Sequence, residues 1–197
     1  MSSKKNISVL GAGKMGLGIA QLFATKGYNV KVIYVYDDKI RCDARAVVED
    51  NLKVLAANDA LDEAQIPEIL GRIGFVDTIE EVADFADIVF ECTGVPQMVQ
   101  RGLDITQKSG TLVAVGIYPA KAELDLTAVV RSAKNIKGTY GGPVTLERLI
   151  SWLDSANPLV EKLDKLITHK GPLKNADEAF KRCIRKENIK ELFINFE

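Results

Sequence analysis

The hydrophobic pattern of the chain alternates between short apolar runs and stretches in which apolar residues recur every three or four positions. The first pattern is typical of buried strands and the second of amphipathic helices. The apolar runs predict strands at residues 7–11, 30–36, 75–76, 88–90, 112–115 and 136–140. Because helical stretches separate these runs, we expect an α/β fold: a doubly wound parallel sheet of about six strands with helices on both faces.

Turn and capping signals predict where several helices begin and end. Gly27 follows the first helical stretch, where a C-terminal glycine is favoured. Thr78 and Glu81 have the spacing of a capping box for a brief helix. Pro96 suits the first turn of the next helix, which we expect Gly110 to close before the fifth strand.

The pattern changes near residue 157, after which the predicted elements are shorter. We expect a helix through Leu163 and Ile167, a helix at residues 175–184 and a strand-like alternation at residues 189–196. The domain boundaries follow from this change. Residues 1–155 are predicted to form the main domain, and residues 156–197 a tail of helices and strands packed on the same domain.

Composition excludes several classes of function. Hydrophobic residues make up 47% of the 197, charged residues 27%, and the net charge is -1. This is an ordinary globular balance without the basic surplus that nucleic-acid binding needs, so we expect no nucleic-acid partner. The sequence has neither a signal-peptide pattern nor an apolar run of ~18 residues, which predicts a cytoplasmic protein without a membrane partner.

The cysteines and the single histidine give no sign of a metal site. Cys42, Cys92 and Cys183 are widely spaced and form no CxxC pair, and His169 is the only histidine. Neither a disulfide framework nor a zinc site is therefore predicted. We expect these cysteines to be buried or incidental thiols.

A glycine-rich turn joins the first predicted strand to the first predicted helix. Its sequence, GAGKMG at residues 11–16, matches the pattern GxGxxG. In this context Gly11 permits the tight turn, Gly13 lets a ligand approach the backbone, and Gly16 lets helix and strand pack closely. The N-terminus of the helix then faces a pyrophosphate, which predicts a Rossmann-type dinucleotide-binding domain. The predicted binding residues are Gly11, Gly13, Lys14, Met15 and Gly16, the alternative being a glycine turn that binds nothing.

Acidic residues follow the second predicted strand, where an acid commonly binds the adenosine ribose. Asp37, which lies 21 residues past Gly16, and Asp38 are the candidates. Lys39 and Arg41 follow closely enough to contact a 2′-phosphate instead. We expect NAD as the cofactor, with NADP left open. An N-cap role explains Asp38 equally well.

The N-terminal half resembles the NAD-binding domain of 3-hydroxyacyl-CoA dehydrogenases. The likeness rests on residues 7–21 (ISVLGAGKMGLGIAQ), on residues 68–73 (EILGRI) and on residues 87–91 (DIVFE), with a helical hairpin after the second strand. One position departs from that family. Its ribose-binding acid comes about three residues before Asp37, at the position of Tyr34 here.

From about residue 92 the chain resembles the cofactor domain of medium-chain, alcohol-dehydrogenase-like reductases. The likeness rests on residues 92–95 (CTGV), 109–116 (SGTLVAVG), 136–138 (IKG) and 166–169 (LITH). It implies that the nicotinamide half of the cofactor rests at the carboxyl ends of the fourth and fifth strands, which agrees with the general rule for open parallel sheets. The residues implied there are Thr93, Gly94, Val95, Gly116 and Ile117.

No catalytic residue can be named from the sequence. In the first family the catalytic His–Glu pair lies beyond the matched region, and in the second the zinc ligands belong to a separate domain. Hydride transfer needs a proton donor or a metal, but a structural role explains His169 better. Packing in the sheet likewise better explains the tyrosines near strand ends, which are Tyr34, Tyr36, Tyr118 and Tyr140.

Two functions remain open at this point. The first is an NAD(P)-dependent oxidoreductase of the alcohol or hydroxyacyl dehydrogenase type. The second is a cofactor-binding module without its own catalytic residues, such as a sensor, a scaffold, or an isolated or engineered cofactor domain.

Two expectations concern assembly and the tail. The sixth strand resembles the edge through which alcohol-dehydrogenase-like subunits join their sheets, so a homodimer through this edge is expected. In the reductases the segments matching residues 166–169 and 189–196 contact a separate catalytic domain, which we do not expect to find in this sequence. We expect these two segments to pair with each other or with the main sheet.

Overall fold

Six strands in the first part of the chain form one parallel sheet. They are β1 (Ile7–Leu10), β2 (Val30–Ile33), β3 (Ile73–Val76), β4 (Ala86–Glu91), β5 (Thr106–Ala114) and β6 (Asn135–Gly138). Their order is β3-β2-β1-β4-β5-β6. This order reverses direction between β1 and β4, as in Rossmann-type dinucleotide-binding sheets. The predicted fold class is therefore confirmed.

The structure is a computed structural model that describes residues 5–34, 44–83, 85–140, 145–154, 166–185 and 187–195. The chain divides into two compact units, Met1–Tyr140 and Gly141–Glu197. The six-stranded sheet belongs to the first unit. Asp37 and Asp38 lie outside the described residues.

Helices connect the strands of the first unit. They are α1 (Lys14–Thr25), α2 (Ala44–Ala56), α3 (Ile66–Gly71), α4 (Pro96–Ile105) and α5 (Leu126–Arg131), with short 3-10 helices at Glu63–Gln65 and Glu80–Val82. Two predicted end signals are confirmed, since Gly27 has a positive φ of 80° just after α1 and Pro96 is the first residue of α4. The capping box is formed only in part: the Thr78 N–H donates to Glu81 at 3.0 Å, but the N-cap residue of the Glu80–Val82 helix is Ile79, without a side-chain cap.

Hydrophobic residues pack on both faces of the sheet because neighbouring strand residues point in opposite directions. Val9 belongs to a buried cluster with residues of α1, α2 and α3. Its neighbour Leu10 belongs to a second buried cluster, with residues of α4 and of the Glu80–Val82 helix. The carboxyl ends of β1 and β4 lie side by side between these two layers, where a cleft for a ligand is expected.

The second unit contains α6 (Leu146–Asp154), β7 (Ile167–Pro172), α7 (Ala176–Arg185) and β8 (Lys190–Asn195). β7 and β8 pair in parallel as a two-stranded sheet. Of the two partners expected for the tail segments, the structure therefore shows pairing with each other. Arg182 on α7 forms an ion pair with Glu191 on β8, which links the helix to the strand.

Two predictions about individual elements were wrong, and one helix was missed. Ile167 is the first residue of a strand and does not belong to a helix, because this segment pairs with β8. The local spacing of apolar residues could not show that pairing. Gly110 does not close α4, which ends at Ile105 with an extended residue after it. Gly110 instead lies inside β5, where the pairing with β4 shifts register between Ala86 and Ile88. The short helix α5 was not predicted.

Candidate functional site

The glycine turn connects the end of β1 to the start of α1. Gly11 has a φ of 102°, a left-handed conformation that favours glycine. Its N–H donates to the Ile33 carbonyl at 3.0 Å, which holds the turn at the end of β2. Gly13 is the N-cap residue, and its carbonyl accepts the first helical hydrogen bond, from Leu17, at 2.9 Å.

The turn leaves no room for a side chain at one glycine and ample room at another. An ideal Cβ on Gly16 would lie 1.9 Å from the Gly11 carbonyl oxygen. An ideal Cβ on Gly13 would meet nothing within 4 Å. Helix and turn are therefore in backbone contact at Gly16, whereas the backbone at Gly13 is open to solvent and to a ligand.

The N-terminus of α1 lacks the groups that usually neutralise a helix end. Gly13 provides no side-chain cap, and the first turn contains no acidic residue. Lys14 and Met15 are exposed there. The first N–H groups of a helix have no partner within the helix, and its dipole places partial positive charge at this end. A pyrophosphate fits this cradle, because its oxygens accept from such N–H groups and its charge opposes the dipole.

The loops after β4 and β5 are in direct backbone contact. Gly94 has a φ of 71°, and an ideal Cβ there would lie 2.8 Å from the Ile117 carbonyl oxygen. An ideal Cβ on Gly116 would lie 2.5 Å from the Gly94 nitrogen. The first loop also contacts the glycine turn, since the Thr93 methyl group is the atom nearest to an ideal Cβ on Gly11, at 3.0 Å. The loops predicted to hold the nicotinamide half therefore adjoin the turn predicted to hold the pyrophosphate.

The outer sides of these loops remain accessible. Ile117 is 81% exposed, and Val95 is half-buried as the N-cap residue of α4. An apolar side chain at the carboxyl end of a central strand is suited to contact a flat aromatic ring. Cofactor binding by these two loops stays a prediction. The residues concerned are Thr93, Gly94, Val95, Gly116 and Ile117.

Glu91, at the end of β4, is a buried residue that the sequence did not single out. It is fully buried, and its carboxylate accepts a hydrogen bond from the Thr93 N–H at 2.7 Å. The Thr93 hydroxyl and the Tyr118 hydroxyl donate to it as well. A carboxylate is costly to bury unless such donors satisfy it. The only signal in the sequence was an acid that continues an apolar run.

Burial and Glu91 affect the two neighbouring groups that can ionise. Desolvation raises the pKa of Tyr118 above its ordinary value, and the hydrogen bond to Glu91 raises it further. Desolvation, with a smaller effect of the Glu91 charge, raises the pKa of Cys92 to about 12. Both groups therefore keep their protons at neutral pH, and Cys92 is unsuited to act as a nucleophile.

A cavity of about 280 Å³ lies at the carboxyl ends of β1 and β2, where the adenosine half of a dinucleotide is expected. It is lined by Leu10, Ile33, Tyr34, Asp77, Thr78, Ile79, Glu80, Met98 and Arg101. Tyr34 packs against Phe75 with ring centroids 6.3 Å apart, as the packing interpretation predicted. A larger cavity of about 910 Å³ lies between α4 and residues 121–125 and contains none of the predicted site residues.

The other tyrosines named from the sequence and His169 have separate outcomes. Tyr140 is 90% exposed, so the interpretation as sheet packing was wrong for it. Tyr36 lies outside the described residues. His169 belongs to β7 of the second unit, where its Nδ1 lies 3.2 Å from the Thr168 Oγ1. Within the described ranges, no group of three or more His, Cys, Asp or Glu side chains is placed to hold a metal.

The described part of the chain also contains no helix with the length and apolar character needed to cross a bilayer.

The first half of the chain matches the model of a known protein family. Residues 6–103 match the family model of the 3-hydroxyacyl-CoA dehydrogenase NAD-binding domain. The match contains the glycine turn, Glu91 and the loop after β4. The resemblance of this half to that domain is therefore confirmed, and it supports a nicotinamide dinucleotide as the cofactor.

Similarity to alcohol-dehydrogenase-like proteins extends over nearly the whole chain. The chain is 29% identical over 192 residues to the sorbitol dehydrogenase of Rattus norvegicus, a match that covers 96% of this chain and 49% of that protein. It is 26% identical over 193 residues to the probable S-(hydroxymethyl)glutathione dehydrogenase 1 of Schizosaccharomyces pombe, covering 94% and 48%. The second resemblance is thereby confirmed.

A solved structure shows the same fold. The 2R,3R-butanediol dehydrogenase from Bacillus subtilis superposes with a TM-score of 0.59 at 21% identity, covering 99% of this chain and 52% of that one. The chain thus spans about half the length of the relatives it matches.

Proposed function

We propose that this chain is the cofactor-binding part of a nicotinamide-dependent dehydrogenase of the alcohol or hydroxyacyl type. The observation that carries the proposal is the uncapped N-terminus of α1, which follows a glycine turn whose Gly13 backbone is open. The match of residues 6–103 to an NAD-binding domain also supports this proposal.

Different residues bind different parts of such a cofactor. Gly13, Lys14 and Met15 offer backbone N–H groups to the pyrophosphate. The loops after β4 and β5 receive the nicotinamide half through Thr93 and Ile117. The bound cofactor supplies the hydride acceptor or donor, and the protein orients it. Any proton transfer to the substrate requires a proton donor in addition to these residues.

We propose NAD as the preferred cofactor, because Asp37 and Asp38 follow β2. An acid there accepts hydrogen bonds from the ribose hydroxyls and repels the 2′-phosphate of NADP. We expect Asp37→Asn to weaken NADH binding about tenfold, the value of one charge-assisted hydrogen bond, and to weaken NADPH binding less. Asp38→Asn is the matched control. If only Asp38→Asn weakened NADH binding, Asp38 would be the residue that binds the ribose. If neither variant weakened NADH binding, neither aspartate would have that role.

Calorimetric titration of the full chain with NAD, NADH, NADP and NADPH tests the proposed function. We expect binding of at least one reduced cofactor at micromolar concentration, on the order of 10⁻⁶ M for a preformed dinucleotide site. No heat of binding with any of the four would contradict the proposal.

A second candidate is a cofactor-binding module without its own chemistry. It is favoured by the raised pKa of Tyr118, whose hydroxyl is bonded to Glu91 at the site and is therefore a poor proton donor. NADH oxidation with a panel of aldehydes, ketones and 3-oxoacyl thioesters separates the two. Turnover supports the dehydrogenase, whereas tight NADH binding without turnover supports the module.

We further propose a cytoplasmic homodimer joined through the edge of β6. All four residues of β6 are exposed, and the strand pairs with β5 alone among the described residues. An unpaired strand edge is a template for pairing with a second copy. Light scattering at tens of micromolar, roughly the range in which weak dimers form, should give twice the chain mass, and a monomer mass would contradict this proposal.

A further inference from the structure

The buried carboxylate of Glu91 connects the two loops that adjoin the glycine turn. On one side it accepts hydrogen bonds from the N–H and the hydroxyl of Thr93, in the loop after β4. On the other side it accepts from the Tyr118 hydroxyl, in the loop after β5. Backbone bonds strengthen this connection, since the N–H groups of Val115 and Gly116 both donate to the Glu91 carbonyl, at 2.9 and 3.1 Å.

The connection continues from Thr93 to the start of α4. The Thr93 Oγ1 accepts from the Val95 N–H at 3.0 Å, and Val95 is the N-cap residue of α4. The buried Glu91 side chain is therefore bonded directly to both loops and, through Thr93, to the start of α4. Exposed loops otherwise keep considerable conformational freedom, and a ligand must restrict that freedom when it binds.

We propose that Glu91 is a positioning residue that locks the loops after β4 and β5 together through Thr93 and Tyr118, and so shapes the surface on which the nicotinamide ring rests. This inference rests on the proposed function. It assigns Glu91 no contact with the cofactor. Tyr118 keeps its proton because burial and the Glu91 hydrogen bond raise its pKa, so the pair acts as a fixed hydrogen bond and not as a proton relay.

The test compares NADH with ADP-ribose, which has the adenosine, the pyrophosphate and the second ribose but lacks the nicotinamide ring. Calorimetry on the full chain gives the ratio of the two affinities. A loss of general stability lowers both affinities together, whereas a displaced nicotinamide surface lowers that of NADH alone. The ratio therefore separates positioning from folding.

Tyr118→Phe removes the hydroxyl that ties the second loop to Glu91 and keeps the ring. We expect the preference of this variant for NADH over ADP-ribose to fall about fivefold, the effect of one buried hydrogen bond. Tyr140→Phe makes the same chemical change at a 90% exposed residue outside both loops. It should keep the wild-type ratio.

Thr93 gives a second, independent pair of variants. Thr93→Val preserves the shape of the side chain but removes the hydroxyl, and Thr93→Ser retains the hydroxyl. We expect Thr93→Val to lower the ratio and Thr93→Ser, which keeps the hydroxyl bonded to Glu91, to lower it less. This pair keeps the inference testable if Tyr118→Phe does not fold.

The outcomes separate the inference from the proposed function. If the wild-type chain binds neither NADH nor ADP-ribose, the proposed function is wrong and the inference fails with it. If the wild type binds both but prefers neither, the inference alone is overturned. The inference alone is also overturned if the wild type prefers NADH and neither Tyr118→Phe nor Thr93→Val changes that preference.

Discussion

The carbonyl oxygen of Gly11 occupies the place where a β-carbon of residue 16 would have to be, because an ideal Cβ on Gly16 would lie 1.9 Å from that oxygen. The neighbour is backbone, so it cannot move aside as a flexible side chain would. The first turn of α1 is thereby held against the glycine turn. This close contact directs the free N–H groups of the helix into the space in front of β1.

Gly16→Ala should destabilise the protein strongly. The added methyl group has no space and must displace the backbone of either the turn or the helix. We expect a loss of about 3 kcal/mol or more in the free energy of unfolding, at the upper end of overpacking effects. Urea unfolding measures it.

Gly18→Ala provides the control for this prediction. Gly18 lies in the same helix, and an ideal Cβ there meets nothing within 4 Å. This variant should be neutral or more stable by roughly 0.5–1 kcal/mol, since alanine favours helix more than glycine does. Equal stability of the two variants would contradict the described packing.

Gly94→Ala should disrupt the contact between the loops after β4 and β5. The change introduces strain at a φ of 71° and a clash with the Ile117 carbonyl. We expect a destabilisation of roughly 1–3 kcal/mol together with weaker NADH binding. Gly71→Ala, at an open position in α3, should change neither property. If Gly94→Ala bound NADH as tightly as the wild type, the proposal that these loops bind the cofactor would be wrong.

Cys92 and Cys183 should differ in their reaction with iodoacetamide. Burial raises the pKa of Cys92 to about 12, so almost no thiolate forms there at pH 8, and access is restricted as well. Cys183 is exposed. Peptide mass spectrometry should find Cys183 alkylated before Cys92 under native conditions. Equal rates at the two cysteines would show that the Cys92 environment is more open than described.

The ion pair between Arg182 and Glu191 should make the second unit sensitive to acid. Arg182 donates to Glu191, which lowers the pKa of that carboxyl, and Asn188 donates to it too. A lowered folded-state pKa gives stability that is present above the unfolded value of about 4.3 and is lost as pH falls through the folded value. Urea unfolding monitored by NMR signals of β7 and β8 can follow this.

Glu191→Gln is the matched variant for this prediction. It should be less stable than the wild type at pH 7, and the difference should shrink as pH falls toward 3, because protonation removes the charge from the wild type as well. A difference that stays constant with pH would mean that the ion pair contributes nothing to stability.

Hydrophobic periodicity predicted the sheet well because parallel strands buried on both faces are continuous apolar runs. It missed α5 for a physical reason. Leu126 and Val130 in that helix are largely exposed, and Val129 alone among its apolar residues packs against a core cluster, so the six residues show no repeated apolar spacing from which a helix could be inferred. Ile167 was misplaced because a short apolar spacing fits either a helix or a strand, and only the pairing with β8 decides between them.

The glycine turn could be predicted because its geometry is local. Gly11, Gly13 and Gly16 lie within one turn, and their spacing encodes both the bend and the close contact. Glu91 could not be found in this way. Its partner Tyr118 is 27 residues away, and the two meet only because β4 and β5 are neighbours in the sheet.

The central claim is that a nicotinamide dinucleotide binds at the glycine turn, and Gly13→Val tests it most directly. The valine side chain extends into the space that the pyrophosphate is expected to occupy, and an ideal Cβ at this position meets nothing within 4 Å apart from its chain neighbours. Gly18→Val places the same side chain at an equally open position of α1. Calorimetric titration with NADH should show binding to the wild type and to Gly18→Val and a loss of at least about tenfold in Gly13→Val. Equal NADH affinity in all three proteins would contradict the assignment of the site.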